Sequence, residues 1–318
     1  MLARSENLPL ARLLWRHPLL APRIASNLAL VRLGRPVLRA VEFCVILQCG
    51  ARCEHCFIGD RDRSAARPLS REEIRGTVRQ AIALGAFVVH FSGGEPLLRG
   101  DLDALIRDLP RGRAISVLTT SGQGLTLARV DALAAAGLDV LVLSLEGDDA
   151  AAHDRFRGLP GGHARAVAGL RRAREKRMAT VINFMVTQQR LRDRTDQRTL
   201  ALARSLGAQL NVFLPASQGR WAGRPPERLD AEMRQALQQL KSQPGVRWCG
   251  DSAYLGQGCR AGTEKLSVGV EGEVIACALL PEPGLGNVRS EPLDRIWERA
   301  RRVAAAGQGC PSCEAMNG

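Results

Sequence analysis

Residues 49–56 read Cys-Gly-Ala-Arg-Cys-Glu-His-Cys, and they follow a mostly apolar run at positions 41–47. Cys49, Cys53 and Cys56 form a C-x3-C-x2-C triplet at the end of a predicted strand. Cysteine thiolates hold iron–sulfur clusters, and three of them on a four-iron cluster leave one iron open to a non-protein ligand. A structural zinc site instead closes with four ligands, and His55 lies between two cysteines, where its ring can hardly reach the same metal. The octet therefore predicts a [4Fe–4S] cluster bound by Cys49, Cys53 and Cys56.

The composition limits the kind of protein that carries this octet. A chain of 318 residues with 45% apolar residues is long enough for one large α/β domain and a small appendage. The net charge of +13 fits a nucleic-acid partner. The arginines are spread over the whole chain, however, without a dense cluster interleaved with aromatic residues. Nucleic-acid binding is therefore disfavoured.

The use of cysteine indicates the compartment. The nine cysteines are grouped with metal-ligand spacing, and no secretory signal is apparent. No run of about 20 apolar residues, the length of a membrane span, occurs. We expect a cytoplasmic protein in a reducing setting.

Positions 1–40 are expected to form an N-terminal helical extension. Between Pro22 and Gly34, the residues Ile24, Leu28 and Val31 share one helical face. We expect this amphipathic helix to pack on its own domain, so a membrane partner is disfavoured.

From position 41 the chain alternates strand-like and helix-like segments. The predicted strands are 41–47, 87–91, 114–118, 140–144, 179–186 and 209–214, and the predicted helices are 71–85, 101–109, 126–137, 163–176, 196–206 and 229–241. Ser70 and Glu73 form a capping box at the start of the first helix. This alternation predicts a parallel sheet and an α/β fold, a partial (β/α)6 TIM-like barrel over 41–244. Chemistry in such barrels collects on the loops after the strands, and the octet lies on one of these loops.

A second informative loop follows the second predicted strand and reads Ser-Gly-Gly-Glu-Pro at positions 92–96. Glycines allow a backbone to approach a ligand closely, although such a sequence alone is also a plain tight turn. Together with the octet on the preceding strand, it resembles the motifs of radical S-adenosylmethionine (SAM) enzymes, with His55 in place of the family's usual aromatic residue. The resemblance implies a SAM site in which Glu95 contacts the amino group, with the loop contributed by Gly93, Gly94, Glu95 and Pro96.

The resemblance extends to later strands. Residues 144–147 (Ser-Leu-Glu-Gly) and 153–158 (His-Asp-Arg-Phe-Arg-Gly) are similar to a stretch of radical SAM enzymes that carry an extra C-terminal cluster domain. It implies that Ser144 contacts the ribose or carboxylate of SAM and that Arg157 contacts the carboxylate. Asn183, in an otherwise apolar strand, is expected on the adenine side. Glu146 replaces the family's aspartate.

Four further polar or aromatic residues have simpler interpretations. We expect His153 and Asp154 to cap the helix that follows them. Arg220 and Trp221 lie in a loop over the barrel mouth, where they either contact substrate or form an exposed hinge.

The C-terminal segment 245–318 is predicted to be a small α+β iron–sulfur domain. Its segments 266–270 and 273–277 read as a hairpin that turns at Glu271 and Gly272. A closed zinc site is one interpretation of its cysteines. Beside a radical SAM loop, the pattern resembles a twitch or SPASM domain, which implies one auxiliary [4Fe–4S] cluster. Its four ligands would be Cys259, Cys277, Cys310 and Cys313.

Two cysteines are left over. Cys44 is expected in the core, and Cys249 has no assigned role.

The resemblance implies an oxidoreductase that cleaves SAM reductively to a 5′-deoxyadenosyl radical and abstracts a substrate hydrogen. An electron would then pass to the auxiliary cluster, and a donor such as flavodoxin or ferredoxin would supply the first one. Peptide modification, as in ribosomal peptide maturation, is favoured, although no N-terminal winged-helix module is apparent. Dehydrogenation of a sugar, aminocyclitol or other small molecule is the alternative. A non-catalytic metal-binding module is a remote one. No catalytic acid or base is identified.

Overall fold

The structure is a computed structural model, and it describes residues 16–59, 67–224, 229–249, 259–279 and 284–305. Its strands are β1 (Ala40–Cys44), β2 (Val88–Ser92), β3 (Ile115–Thr120), β4 (Val140–Ser144), β5 (Ala179–Met185), β6 (Gln209–Phe213), β7 (Val246–Trp248), β8 (Lys265–Val268), β9 (Glu273–Ile275) and β10 (Gly286–Asn287). Its helices are α1 (Leu20–Arg32), α2 (Arg71–Ala83), α3 (Leu102–Arg107), α4 (Leu127–Ala136), α5 (Ala150–Arg157), α6 (Gly162–Glu175), α7 (Gln188–Arg192), α8 (Thr195–Leu206), α9 (Ala231–Lys241) and α10 (Leu293–Ala305). Short 3-10 turns cover Pro96–Leu98 and Gly219–Trp221.

The described strands form one sheet in the order β10-β9-β8-β1-β2-β3-β4-β5-β6-β7. Neighbours from β8 through β1 to β7 are parallel, whereas β9 and β10 are added antiparallel at one edge. Helices connect the parallel strands, as right-handed crossovers require. The predicted α/β fold with a parallel, barrel-like core is confirmed, and all six predicted strands are present.

The two faces of the sheet differ in chemistry. Val41 and Phe43 of β1 pack with Ile74 and Val78 of α2 in the main apolar core, and all four are almost fully buried. Because side chains alternate along a strand, Glu42 points to the opposite face, which we call the inner face.

Helix α1 covers the inner face near the start of the strands. Its fully buried Leu20 packs with Ile115, Val140 and Ala179 in a second apolar cluster, and the Asn27 amide donates to the carbonyl of Gly85 at 2.9 Å. The helix therefore packs on the barrel, as expected. None of the helices in the described ranges has the length and apolarity that crossing a bilayer requires.

Local signals explain several helix ends. The predicted capping box is confirmed: Ser70 Oγ accepts from the Glu73 amide at 3.2 Å, and Glu73 Oε2 accepts from the Ser70 amide at 2.7 Å. Helix α5, which was not predicted, begins at Asp149, whose side chain accepts from the Ala151 amide at 2.8 Å. It ends at Gly158 with a φ of 53°. Helix α7 and strand β7 were also not predicted.

The C-terminal hairpin continues the barrel sheet. Strand β8 pairs in parallel with β1, with Lys265 opposite Ala40, and antiparallel with β9. Gly272 in the turn has a φ of 92°, and a Cβ there would lie 2.8 Å from Asn287 Oδ1, so the turn favours glycine. Strands β7 and β8, which both follow position 245, therefore belong to the same sheet as β1 to β6. The division into 1–40, 41–244 and 245–318 stays a prediction.

Candidate active site

The loop after β1, residues 49–56, brings its three thiols into one place. Cys53 is buried and Cys49 and Cys56 are half-buried, and they pack around Ala51 and Leu159 in a small apolar cluster. We call residues 49–56 the cysteine loop. Within the described residues, no three His, Cys, Asp or Glu side chains converge closely enough to bind a single metal ion. A four-iron cluster is larger than one ion, so its thiolates stand farther apart.

The C-terminal end of α5 supports the cysteine loop from one side. The amide of Arg52 donates to the carbonyl of Arg157 at 3.0 Å, and that of Glu54 donates to Phe156 at 3.0 Å. A Cβ on Gly158 would lie 2.9 Å from the Cβ of Arg52. The stretch 153–158 therefore fixes the backbone of the cysteine loop directly.

The 3-10 turn Gly219–Trp221 supports the cysteine loop from another side. The Arg220 amide donates to the carbonyl of Cys56 at 2.9 Å, and its guanidinium donates to that of Cys53 at 3.2 Å. A Cβ on Gly219 would lie 2.1 Å from the Cys56 oxygen. Arg220 and Trp221 thus contact the cysteine loop, a third possibility beyond the two expected from sequence.

His55 is enclosed by two aromatic rings. It stacks on Phe156 with centroids 5.0 Å apart and meets the edge of Trp221 at 6.3 Å. Burial, helped by the positive charge of Arg157, lowers the pKa of His55 to about 4. The ring is therefore neutral at pH 7 and packs as an aromatic residue, which fits its place in the motif.

A buried ionic network lies beside Cys53. The Glu146 side chain is fully buried and accepts hydrogen bonds from Arg157 and, at 2.5 Å, from Arg190. Burial alone raises the pKa of Glu146, but the two guanidinium groups outweigh it and lower the pKa to about 2. Arg157 Nη1 also lies 3.8 Å from Cys53 Sγ, within hydrogen-bonding range for sulfur.

Arg190 was not predicted as part of the site. It donates to the carbonyl of Met185 at 2.6 Å, and its guanidinium lies 4.5 Å from the centroid of the Phe156 ring. Thr187 caps α7 just before it, accepting from the Arg190 amide at 3.3 Å. A threonine cap directly after a strand was the available sequence signal.

The structure gives different positions to Arg157, the predicted SAM contact, and to Asp154 and His153, the predicted helix caps. Arg157 lies between Glu146 and Cys53, as described, while Asp154 accepts from the amides of Gly161 and His163 and so caps α6 as expected. His153 does not share in that cap, because its Nδ1 accepts from the Glu146 amide at 3.0 Å. A contact of Arg157 with the SAM carboxylate stays a prediction.

Glu95 is fully buried between two loops. Its carboxylate accepts from Thr120 Oγ1 and Ser121 Oγ, both at 2.5 Å, and from the amides of Ser121 at 3.0 Å and Leu97 at 3.1 Å. Burial raises its pKa despite these donors. A carboxylate has about four acceptor positions, so a contact with the SAM amino group, which stays a prediction, requires one of these donors to give way.

The glycines before Glu95 approach the chain itself. A Cβ on Gly93 would lie 2.4 Å from the oxygen of Ile46, and one on Gly94 would lie 2.3 Å from the oxygen of Leu47. The Gly94 amide donates to Ile46 at 2.7 Å. The glycines thus hold the loop 92–96 against the segment that leads to the cysteine loop, whereas the sequence suggested close approach to a ligand. Pro96 is buried at the start of its 3-10 turn.

Ser144 and Asn183 lie side by side on the inner face. They are paired in the register of β4 and β5, and Asn183 is paired with Asn211 of β6. The Asn211 amide donates to Asn183 Oδ1 at 2.8 Å. The structure therefore brings these two predicted residues together.

A second polar group on the inner face was missed in the sequence. Glu42 accepts from Ser92 Oγ at 2.7 Å, and its other oxygen lies 3.8 Å from His90 Nδ1. His90 Nε2 lies 2.7 Å from Thr119 Oγ1. Ionisable residues at alternating positions of otherwise apolar strands were the signal for this group.

The auxiliary cysteines are described in part, since Cys310 and Cys313 lie outside the described residues. Burial raises the pKa of Cys277 to about 12. Burial also disfavours the charged form of Lys265, but the thiols of Cys249, Cys277 and Cys259 outweigh it and raise the pKa of Lys265. Cys249 therefore lies with the auxiliary thiols.

Comparison with protein families now decides the identity of this site. A model described as the radical SAM superfamily matches residues 44–202, which hold the cysteine loop and Glu95. The chain belongs to the radical SAM superfamily. A second model, described as the SPASM iron–sulfur cluster-binding domain, matches residues 259–314.

Individual proteins agree with this radical SAM assignment. The chain is 30% identical over 297 residues to the PqqA peptide cyclase of Ruegeria pomeroyi, covering 85% of this chain and 78% of the relative. It is 29% identical over 282 residues to the AdoMet-dependent heme synthase of Methanosarcina barkeri, covering 79% of this chain and 80% of the relative. The fold matches Streptococcus suis SuiB bound to its precursor peptide SuiA with a TM-score of 0.69 at 18% identity, over 91% of this chain and 72% of that chain.

The cofactors of this radical SAM enzyme are SAM and [4Fe–4S] clusters, and the thiols of the cysteine loop fit the binding of a cluster. Cys49, Cys53 and Cys56 carry soft thiol groups gathered in one apolar cluster, which suits the predicted iron–sulfur ligation. Arg157 directs an N–H toward the sulfur of Cys53, as residues beyond the ligands of metal sites commonly do.

Proposed function

We propose that this radical SAM enzyme is a cytoplasmic oxidoreductase that modifies a peptide. The observation that carries the proposal is the 30% identity to a PqqA peptide cyclase over 85% of this chain. The fold shared with SuiB, whose structure contains a precursor peptide, agrees with it.

The inner face offers what a peptide backbone needs. The amide group of Asn211 can both donate and accept hydrogen bonds, and Asn211 lies beside Asn183 and Ser144, the proposed SAM contacts, in the strand register. The apolar cluster around Leu20 lies below this polar layer. A peptide segment that enters from the ends of the strands therefore meets hydrogen-bonding groups first.

The chemistry that bound SAM and its cluster supply is reductive cleavage to a 5′-deoxyadenosyl radical, which takes a hydrogen atom from the substrate. The protein positions the groups and excludes water. The buried Glu146 network and the ring of His55 enclose the cysteine loop. His90 and Glu42 lie 3.8 Å apart on the inner face, where they can exchange a proton with a substrate.

Electron transfer in this reaction would involve an external donor protein and the auxiliary cluster of the chain itself. An external protein such as flavodoxin or ferredoxin would deliver the electron for SAM cleavage, and the auxiliary cluster would accept one electron from the substrate. Ligation of that cluster by Cys259, Cys277, Cys310 and Cys313 is part of the proposal.

The test begins with anaerobic reconstitution. We expect about eight irons per chain for two four-iron clusters, and 5′-deoxyadenosine on addition of dithionite and SAM. Replacing Cys53 by Ala should abolish 5′-deoxyadenosine. Peptides encoded beside the gene are then added, and mass spectrometry should show a peptide that loses about two hydrogen masses with the wild type and remains unchanged with the Cys53→Ala variant.

A small-molecule substrate is the second candidate, because the identity to the heme synthase is 29% over 79% of this chain. Loss of hydrogen from a porphyrin-type substrate, with every peptide returned unchanged, would decide for this candidate.

A further inference from the structure

Lys265 occupies a defined position next to a cysteine of the auxiliary site. It is the first residue of β8, and β8 pairs antiparallel with β9 so that Ser267 faces Ile275. Continued past Ile275, where β9 ends, this register brings Lys265 opposite Cys277, and the two groups interact electrostatically. Residues across an antiparallel pair share one face of the sheet, so the two side chains are neighbours.

A tight turn brings a second thiol back to the same lysine. The amides of Thr263, Glu264 and Lys265 donate to the carbonyl of Arg260, at 3.2, 2.9 and 3.3 Å. Cys259 directly precedes Arg260. The turn therefore holds Cys259 beside the start of β8.

A third thiol comes from the opposite edge of the sheet. Cys249 follows β7, and its amide donates to the carbonyl of Val212 at 3.0 Å. It shares its strand face with Arg247, whereas Trp248 points into the main core. Burial lowers the pKa of Lys265, but electrostatic interaction with Cys249, Cys277 and Cys259 raises it overall, so all three thiols lie close enough to Lys265 to interact with its ammonium group.

The charge of this lysine has a direct electrostatic consequence. Lysine occurs at only three positions of this arginine-rich chain, and its ammonium is a compact point charge at neutral pH. A cluster held by thiolates gains one negative charge when it accepts an electron. A nearby positive charge stabilises that reduced form, and local charge is one of the factors that set cluster potentials.

We propose that Lys265 is the counter-ion of the auxiliary iron–sulfur cluster and raises its midpoint potential. The ammonium compensates the thiolate charge and makes the cluster a better electron acceptor. This role depends on the cluster alone and holds for a peptide or a small-molecule substrate.

The test is a redox titration of the full-length protein with both clusters reconstituted, followed by electron paramagnetic resonance. The auxiliary signal is the one that SAM addition leaves unchanged. We expect Lys265→Met to lower the midpoint potential of the auxiliary cluster by at least about 59 mV. This is a tenfold change in the equilibrium constant of its one-electron reduction. Lys265→Arg should retain most of the potential because it keeps the charge.

Lys176→Met is the matched control, since Lys176 pairs with Asp131 at 3.3 Å on the surface of the barrel and should leave the midpoint unchanged. An unchanged midpoint in Lys265→Met with full iron, or an equal fall in Lys265→Arg, would overturn the proposal. If Lys265→Met loses the auxiliary iron, retention in Lys265→Arg supports the counter-ion role. Loss from both variants overturns it.

Discussion

Replacing Glu146 by Gln tests the buried ionic network beside Cys53. The side chain of Glu146 is fully buried, and it bridges Arg157 and Arg190. Removing one partner of a buried ion pair typically costs about 3–5 kcal/mol, because the remaining charges stay buried without compensation. The lowering of the Glu146 pKa from 4.5 to about 2 corresponds to about 3 kcal/mol at roughly 1.4 kcal/mol per pH unit, so the two routes agree.

The pH dependence has a definite sign. Because the folded protein holds the pKa of Glu146 below its ordinary value, the carboxylate stabilises the fold fully above pH 4.5 and loses this effect as the pH falls toward about 2. The wild type and Glu146→Gln should therefore differ most at pH 7 and converge near pH 2.

Thermal unfolding of the two proteins measures the effect. At about 2.1 cal/mol/K per residue, the unfolding entropy of a chain of this length is roughly 0.67 kcal/mol/K, so we expect the loss of about 3 kcal/mol to lower the melting temperature by about 4–5 °C at pH 7. Glu175→Gln is the matched control, because Glu175 makes an exposed pair with Arg172 at 2.8 Å, and exposed pairs contribute about 0–1 kcal/mol. The reasoning fails if Glu146→Gln lowers the melting temperature at pH 7 no more than Glu175→Gln does.

Two further predictions concern the supports of the site. Gly219→Ala should lower the iron content per chain, because a Cβ at Gly219 would lie 2.1 Å from the Cys56 oxygen. Gly223→Ala is the control and should retain its iron: Gly223 also has a positive φ, of 79°, but a Cβ there would meet nothing within 4 Å. Glu95→Gln should lower 5′-deoxyadenosine formation and the melting temperature together, because an amide has one oxygen for the donors that the two carboxylate oxygens now accept. Normal SAM cleavage by Glu95→Gln would contradict this.

The strands that have a local sequence signature were predicted correctly. The six core strands are apolar runs bounded by turn residues, and the structure contains all of them. Helix α5 was missed because residues 150–157 contain little apolar periodicity, and β7 was missed because it has only three residues.

Contacts between distant residues could not be predicted in the same way. Glu146 and Arg190 are 44 positions apart, and nothing in either local sequence indicates the pairing. The same holds for Lys265 of β8 and Cys249 after β7, because strands β1 to β6 separate β8 from β7 in the sheet order. The glycines at positions 93 and 94 were recognised as sites of close approach, but only the structure shows that the neighbour is the backbone of Ile46 and Leu47.

Helix α1 closes the barrel at the end where its strands begin, and the residues that close it form a floor beneath the inner face. Leu20 fills the inner face at the level of Ile115 and Val140, so a path through the strands from below is blocked by packed hydrocarbon. A reactive radical formed above this floor is shielded from water on that side by side chains that carry no ionisable groups.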